Sequence, residues 1–148
     1  MSGTFKVYLK TNERLFINGA VIRADRKVSI ELLNDVDFLL ESHVMQSEDA
    51  TTPLRQLYYI IQIIVMSPAE RARILPVYKQ ATSQLVRTLG DRAMLSELQH
   101  IDTLVGDERY YDALKALRHL FPLEPEGPDC EAMPTVPAVM ATRLAQAV

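Results

Sequence analysis

Hydrophobic residues along this chain change their period. Between residues 4 and 45 they recur at every second position. Phe5, Val7 and Leu9 alternate with Lys6, Tyr8 and Lys10, the period of a strand with one buried face. Leu15-Phe16-Ile17 and Ala20-Val21-Ile22 flank Asn18-Gly19. That dipeptide suits a type I′ turn, because both central residues of such a turn take positive φ. A second turn is expected at Ala24-Asp25-Arg26, and a third at Asn34-Asp35. Val28, Ile30 and Leu32 alternate between these two turns, and Val36, Phe38 and Leu40 alternate after the third. The pattern predicts an antiparallel meander of about five short strands.

From residue 51 the spacing becomes helical. Thr52-Pro53 opens a first helix, with proline in the first turn, where its missing N–H costs nothing. Leu54 to Met66 is apolar nearly all round, so this helix should be buried on most sides. Ser67-Pro68-Ala69-Glu70 has the spacing of a capping box. Ile74, Tyr78, Ala81 and Leu85 form a second stripe; Pro76 inside it should kink the helix or delay its regular start, and Gly90 should end it. Met94, Leu98, Ile101 and Val105 form a third stripe, ended by Gly106. Tyr110, Leu114, Leu117 and Phe121 form a fourth, stopped by Pro122. Short connections predict antiparallel neighbours.

The expected fold class is α+β: an N-terminal antiparallel β-sheet packed on a C-terminal bundle of about four helices. Three zones follow: a β-rich region over 1–50, a helical region over 51–121 and a tail over 122–148. The tail holds Pro122, Pro125, Pro128, Pro134 and Pro137, and four acids (Glu124, Glu126, Asp129, Glu131) against Arg143. It reads as a segment without a core of its own.

Composition narrows the classes. In 148 residues, 48% are hydrophobic and 24% charged, enough to bury a core. Cys130 is the single cysteine, so no disulfide framework or cysteine zinc site is available within the chain. A reducing cytoplasm is the expected compartment. No basic-then-apolar leader follows Met1, and the apolar run Leu57 to Met66 is too short to cross a bilayer, so no membrane association is expected.

The net charge of −3 hides a gradient. Residues 1–30 carry Lys6, Lys10, Arg14, Arg23, Arg26 and Lys27 against Glu13 and Asp25. Residues 31–50 carry six acids (Glu31, Asp35, Asp37, Glu41, Glu48, Asp49) and no Lys or Arg. A polyanion would be drawn to the first stretch and repelled by the second. Arg14 and Arg23 flank the Asn18-Gly19 hairpin nearly symmetrically, so antiparallel pairing brings them together, and two neighbouring guanidinium groups suit a phosphate or a splayed base. The bland alternative is a strand exterior charged for solubility.

Other chemistry is weaker. His43, His100 and His119 share no metal-ligand spacing. Thr51-Thr52 with Arg55 could meet an anion at a helix N-terminus or simply cap the helix. Tyr58-Tyr59 could stack on bases or belong to the core. Asp107-Glu108 reads as acids in a first helical turn. No Gly-rich phosphate loop or activated nucleophile stands out, so neither an enzyme nor a cofactor is expected.

Three stretches, Phe16-Ile17-Asn18-Gly19-Ala20-Val21-Ile22, Glu48-Asp49-Ala50-Thr51-Thr52-Pro53 and Tyr58-Tyr59-Ile60-Ile61-Gln62, occur in this order. Together they resemble the FlbT family of flagellin-biosynthesis regulators of alphaproteobacteria, over roughly residues 4–121. The resemblance implies a post-transcriptional role in flagellum assembly. Its members associate with the untranslated leader of flagellin mRNA, usually repress its translation and affect its decay, and work with the small flagellar regulator FlaF. The motif positions it marks are Asn18, Gly19, Thr51, Thr52 and Pro53. The RNA-binding candidates remain Arg14, Arg23, Arg26, Lys27, Lys10 and Lys6. The rival expectation is a protein-interaction adaptor, with the apolar first helix and its neighbours offering a platform to a flagellar partner or flagellin. A free strand edge could also pair with a second copy to give a homodimer.

Overall fold

The structure is a computed structural model that describes residues 5–34 and 36–123. Five strands, β1 (Phe5–Leu9), β2 (Arg14–Ile17), β3 (Ala20–Arg23), β4 (Val28–Leu32) and β5 (Phe38–Leu40), precede four helices. These are α1 (Pro53–Met66), α2 (Arg71–Thr88), α3 (Arg92–Gly106) and α4 (Tyr110–Leu120), and the class is α+β. The tail expected over 122–148 lies outside the described residues, apart from Pro122 and Leu123 in a 3-10 turn, Phe121–Leu123.

The strands do not form one meander. β1 pairs antiparallel with β4, and β3-β2-β5 makes a separate antiparallel sheet. The reason lies in β2. Leu15 and Phe16 are adjacent, so they point to opposite faces, yet both are buried. A strand apolar on both faces needs cover on both sides. Phe16 and Leu39, paired across β2 and β5, face the helices; Leu15, Ile17, Phe38 and Leu40 face Val7 and Leu9 of β1. Three layers result: the β1–β4 ribbon, the three-stranded sheet and the helices.

Helix α1 runs through the middle of the helical layer, and every residue from Leu57 to Val65 is buried. Thr52 caps it by accepting from the Arg55 backbone N–H at 3.3 Å, and Pro53 occupies the first turn. Gln62, the polar break in the apolar run, is fully buried and satisfied. Its Oε1 accepts from the Met45 N–H (2.7 Å) and its Nε2 donates to the Met45 carbonyl (2.8 Å). The amide thus mimics a strand partner for an otherwise unpaired loop.

Three local expectations are corrected. Ser67 makes no side-chain cap, and the Glu70 carboxylate pairs with Arg73 at 3.3 Å, so no capping box forms. Helix α2 starts five residues before Pro76 and continues through it, with no delay. Asp107 and Glu108 precede the first turn of α4 instead of lying in it. Gly106 is still helical; the reversal after α3 falls on Glu108, at φ +60°. Glu108 N–H donates to the Val105 carbonyl (3.1 Å) and Arg109 N–H to the Leu104 carbonyl (2.8 Å), the Schellman pattern with glutamate in the glycine position. No helix among the described residues is long and apolar enough to cross a membrane.

Candidate nucleic-acid interface

The hairpin sets the geometry. Asn18 (φ +47°) and Gly19 (φ +84°) both take positive φ, as a type I′ turn requires. The register then runs Ile17↔Ala20, Phe16↔Val21, Leu15↔Ile22 and Arg14↔Arg23. A side chain added at Gly19 would touch Pro68 at 3.5 Å, and the Asn18 N–H faces the Asp37 carbonyl at 3.4 Å. The tip of the hairpin is therefore set against the helical layer, and the two arginines lie at its far end. The family-motif residues are architectural: Asn18 and Gly19 make the turn, Thr52 and Pro53 start α1, and Thr51 leads into that cap.

At the far end two turns are tied together. The Asn12 N–H donates to the Ala24 carbonyl (2.7 Å), and the Ala24 N–H to the Glu13 carbonyl (3.1 Å). This gathers the end of β1, the start of β2, the end of β3 and the start of β4, and with them Lys10, Arg14, Arg23, Arg26 and Lys27. Glu13 and Ala24 are hydrogen-bonded partners, so Arg14 and Arg23 form the adjacent non-hydrogen-bonded pair, in which side chains approach most closely. Lys6 lies further along β1, opposite Glu31.

The cations differ in freedom. Lys6, Lys10, Arg23, Arg26 and Lys27 are exposed. Among the described residues only Arg26 of these forms an ion pair, to Asp25 at 3.4 Å. Both partners are more than 80% exposed, so the pair neutralises little. Arg14 is half-buried and engaged within the fold, and its backbone N–H donates to Glu41 Oε2 at 3.0 Å. Glu13, Asp25 and Glu41 temper the charge of this end.

Sequence reasoning missed Tyr8. It is 71% exposed on the outward face of β1, between Lys6 and Lys10 and opposite Ser29. The signal was present in the alternation itself, which puts Lys6, Tyr8 and Lys10 on one side. An exposed ring between two lysines on a sheet face is the arrangement on which unpaired bases stack.

Other candidates settle into structural roles. Tyr58 and Tyr59 are core residues. Tyr58 donates its hydroxyl to the His43 carbonyl (2.6 Å) and accepts from Arg118 (3.2 Å), and burial pushes its pKa up. Burial, with the Arg118 charge beside it, holds His43 below the usual histidine range. His100 and His119 are exposed. The apolar surface of α1 is consumed by the core, so this helix offers no docking platform. The large exposed hydrophobics are mostly on or beside strands: Phe5, Tyr8, Val21, Ile22, Val28 and Leu33.

Fold and site together define a small α+β protein whose strand ends present a cation-rich, partly aromatic surface. The chain belongs to the FlbT family: the family model described as "Flagellar protein FlbT" matches residues 5–127. A "Probable flagellum biosynthesis repressor protein FlbT" of Mesorhizobium japonicum is 50% identical over 124 residues, 84% of each chain. One from a Chelativorans species is 48% identical over 126 residues, 85% of this chain and 87% of the relative. A "Probable flagellum biosynthesis repressor protein FlbT 2" of Bradyrhizobium diazoefficiens is 51% identical over 119 residues, 80% and 88% of the two chains. No solved structure matches the chain.

Proposed function

We propose that this protein is a cytoplasmic repressor of flagellum biosynthesis that binds the untranslated leader of flagellin mRNA. Bound there, it lowers ribosome access, and the untranslated message becomes open to nucleases. The observation that carries this reading is the convergence of Lys10, Arg23, Arg26 and Lys27 at one end of the strands, with Tyr8 beside them. The relatives' names, flagellum biosynthesis repressors, support the regulatory part. Phosphates pair with the cations and hold the strand; an unpaired base stacks on Tyr8. FlaF is the proposed protein partner, and no cofactor or catalytic step is needed.

The test is a titration of the purified protein with a flagellin leader RNA at several salt concentrations. Four neutralised phosphates give a log–log salt slope of about −3 for single strands. Changing Arg23, Arg26 and Lys27 together to Gln should weaken binding and flatten that slope by about 2, with the melting temperature unchanged because all three are exposed. Wild-type affinity in this folded triple variant would remove the surface from the function.

A second reading, a protein-interaction adaptor, is favoured by one observation. Strand β3 is a sheet edge whose Val21 and Ile22 are 52% and 42% exposed. Such an edge accepts another strand, from FlaF, from flagellin or from a second copy in a homodimer. Co-purification of a protein partner without nucleic acid, together with no leader shift at moderate salt, would favour it.

A further inference from the structure

A cleft of about 480 Å³ opens where the 3-10 turn after β5 meets α1 and the end of α4. Two arginines from different helices line it, Arg55 from the first turn of α1 and Arg118 from the last turn of α4. Arg118 is steered by its bond to the buried Tyr58 hydroxyl at 3.2 Å, and that hydroxyl is fixed in turn by the His43 carbonyl at 2.6 Å. Arg55 stands 5.7 Å from the centre of the Phe121 ring, which packs edge-on against Tyr58. Among the described residues no carboxylate lies within ion-pair distance of either arginine. Asp49 is the acid that lines the cleft, and His43 adds an imidazole.

The cleft adjoins the cationic strand end. The turn Glu41–His43 links them: Glu41 holds the Arg14 backbone N–H, and Ser42 and His43 line the cleft. Arg14 and Arg23 lie on the face of β2 and β3 that also carries Phe16, the face turned toward the helices. A strand of RNA crossing the turn-tied end of the sheet is thus led toward Arg118.

The geometry points to this cleft as the pocket for one unpaired nucleotide of the bound RNA, its phosphate on Arg118 and its base against the Arg55 guanidinium plane and the Phe121 ring. This rests on the RNA reading above and adds a site to it. A fixed guanidinium presents the paired donors a phosphate takes. An arginine plane beside an aromatic ring is a stacking surface for a base. The volume lies within the range of small-ligand pockets, about 300–1,000 Å³.

The experiment follows amide and arginine Nε–H signals of the full chain by NMR while adenosine monophosphate, uridine monophosphate or inorganic phosphate is added. Both mononucleotides should shift Phe121, His43 and Arg118, and phosphate alone should act more weakly. Changing Arg55 and Arg118 to Gln should abolish those shifts, weaken leader RNA about tenfold and flatten the salt slope by about 0.7, the share of the one phosphate on Arg118. Arg55→Gln alone, at an exposed position, should act in the same direction and keeps the test open if the Arg118 change unfolds the protein. The Arg23, Arg26 and Lys27 variant should lose leader affinity yet keep the mononucleotide shifts. Wild-type leader affinity in the Arg55 and Arg118 variant overturns the pocket and leaves the RNA reading standing. No leader binding by the unaltered protein overturns both. Mononucleotide shifts that arise only after Glu124→Gln and Glu126→Gln would assign the cleft to the chain's own acidic segment, which begins three residues beyond Phe121, and would also overturn the proposal.

Discussion

Asp37 stands one residue before β5, and the backbone amides of Tyr111 and Tyr110 in the first turn of α4 lie close enough to draw its pKa down. The N-cap position of that helix is Arg109, which supplies no acceptor. The carboxylate beside those amides therefore comes from a residue more than seventy positions away. Burial pushes the Asp37 carboxyl above its ordinary 3.8; the Tyr111 amide and the Arg71 guanidinium pull it back in part. The folded protein thus holds this proton more tightly than the unfolded chain. Below pH 3.8 both states carry it, and the residue imposes no penalty. As pH rises from there through the raised folded value, stability falls, and above that value the loss is complete. Asp37→Asn keeps an acceptor without the charge. Its stability relative to wild type, from urea unfolding at successive pH values, should rise across that window and be flat above it. Asp37→Ala also removes the polar group beside the α4 amides and should lie about 1 kcal/mol below Asp37→Asn throughout. A pH-independent gap between the Asn variant and wild type would disprove the buried, proton-hungry carboxylate.

Glu108 decides how α3 turns into α4. Its φ of +60° is a glycine conformation that costs other residues about 1–2 kcal/mol. Its carboxylate meets Arg71 at 2.8 Å, where the guanidinium also lies 5.0 Å from the Tyr110 ring centre. With Glu108 67% exposed, that ion pair is worth only about 0.2–1 kcal/mol. The backbone term is the larger, so Glu108→Gly should raise stability slightly while Glu108→Ala lowers it. The two should differ by about 1 kcal/mol in chemical unfolding. Equal stabilities would mean that residue 108 does not carry the reversal. Elements of this size were legible only where one residue type dictates a geometry. Asn18-Gly19 fixed the hairpin and hence the Arg14↔Arg23 register, and Thr52-Pro53 fixed the start of α1. Ser67 and Glu70 had the right spacing for a cap, yet the chain leaves α1 through Ser67, so its hydroxyl is not turned to the next helix. Glu108 carried no signal at all, because nothing in its type announces positive φ.

Strand partners belong to the whole molecule, and a two-residue period does not choose them. Leu15-Phe16-Ile17 hinted that β2 is covered on both faces, but which segment covers each face depends on β1 and the helices, distant in sequence. The acidic run 31–50 was legible as charge and not as structure: Asp37 is partly buried beside the first-turn amides of α4 and Glu41 holds the Arg14 amide, so part of the expected repulsion is spent inside the fold. The layering has a consequence for stability. Val7, Leu9, Leu15, Ala24 and Phe38 make a small core beneath the β1–β4 ribbon, while the main core surrounds α1. A layer with few buried contacts opens at lower free energy than the centre. Native-state hydrogen exchange should therefore release the amides of Val7 and Ile30 through a partial opening, and those of Ile60 to Ile64 only through global unfolding. Leu9→Ala removes a fully buried side chain of the small core, a change that costs about 2–5 kcal/mol. It should speed exchange in β1 and β4 more than in α1. Lys6, Tyr8 and Lys10 ride on this ribbon, so RNA held on its outer face would bind only the closed layer and should raise its protection with RNA concentration. Equal exchange free energies for Val7 and Ile61 would make the layers one cooperative unit; a protected α1 beside an RNA-insensitive ribbon would take Tyr8 out of the interface.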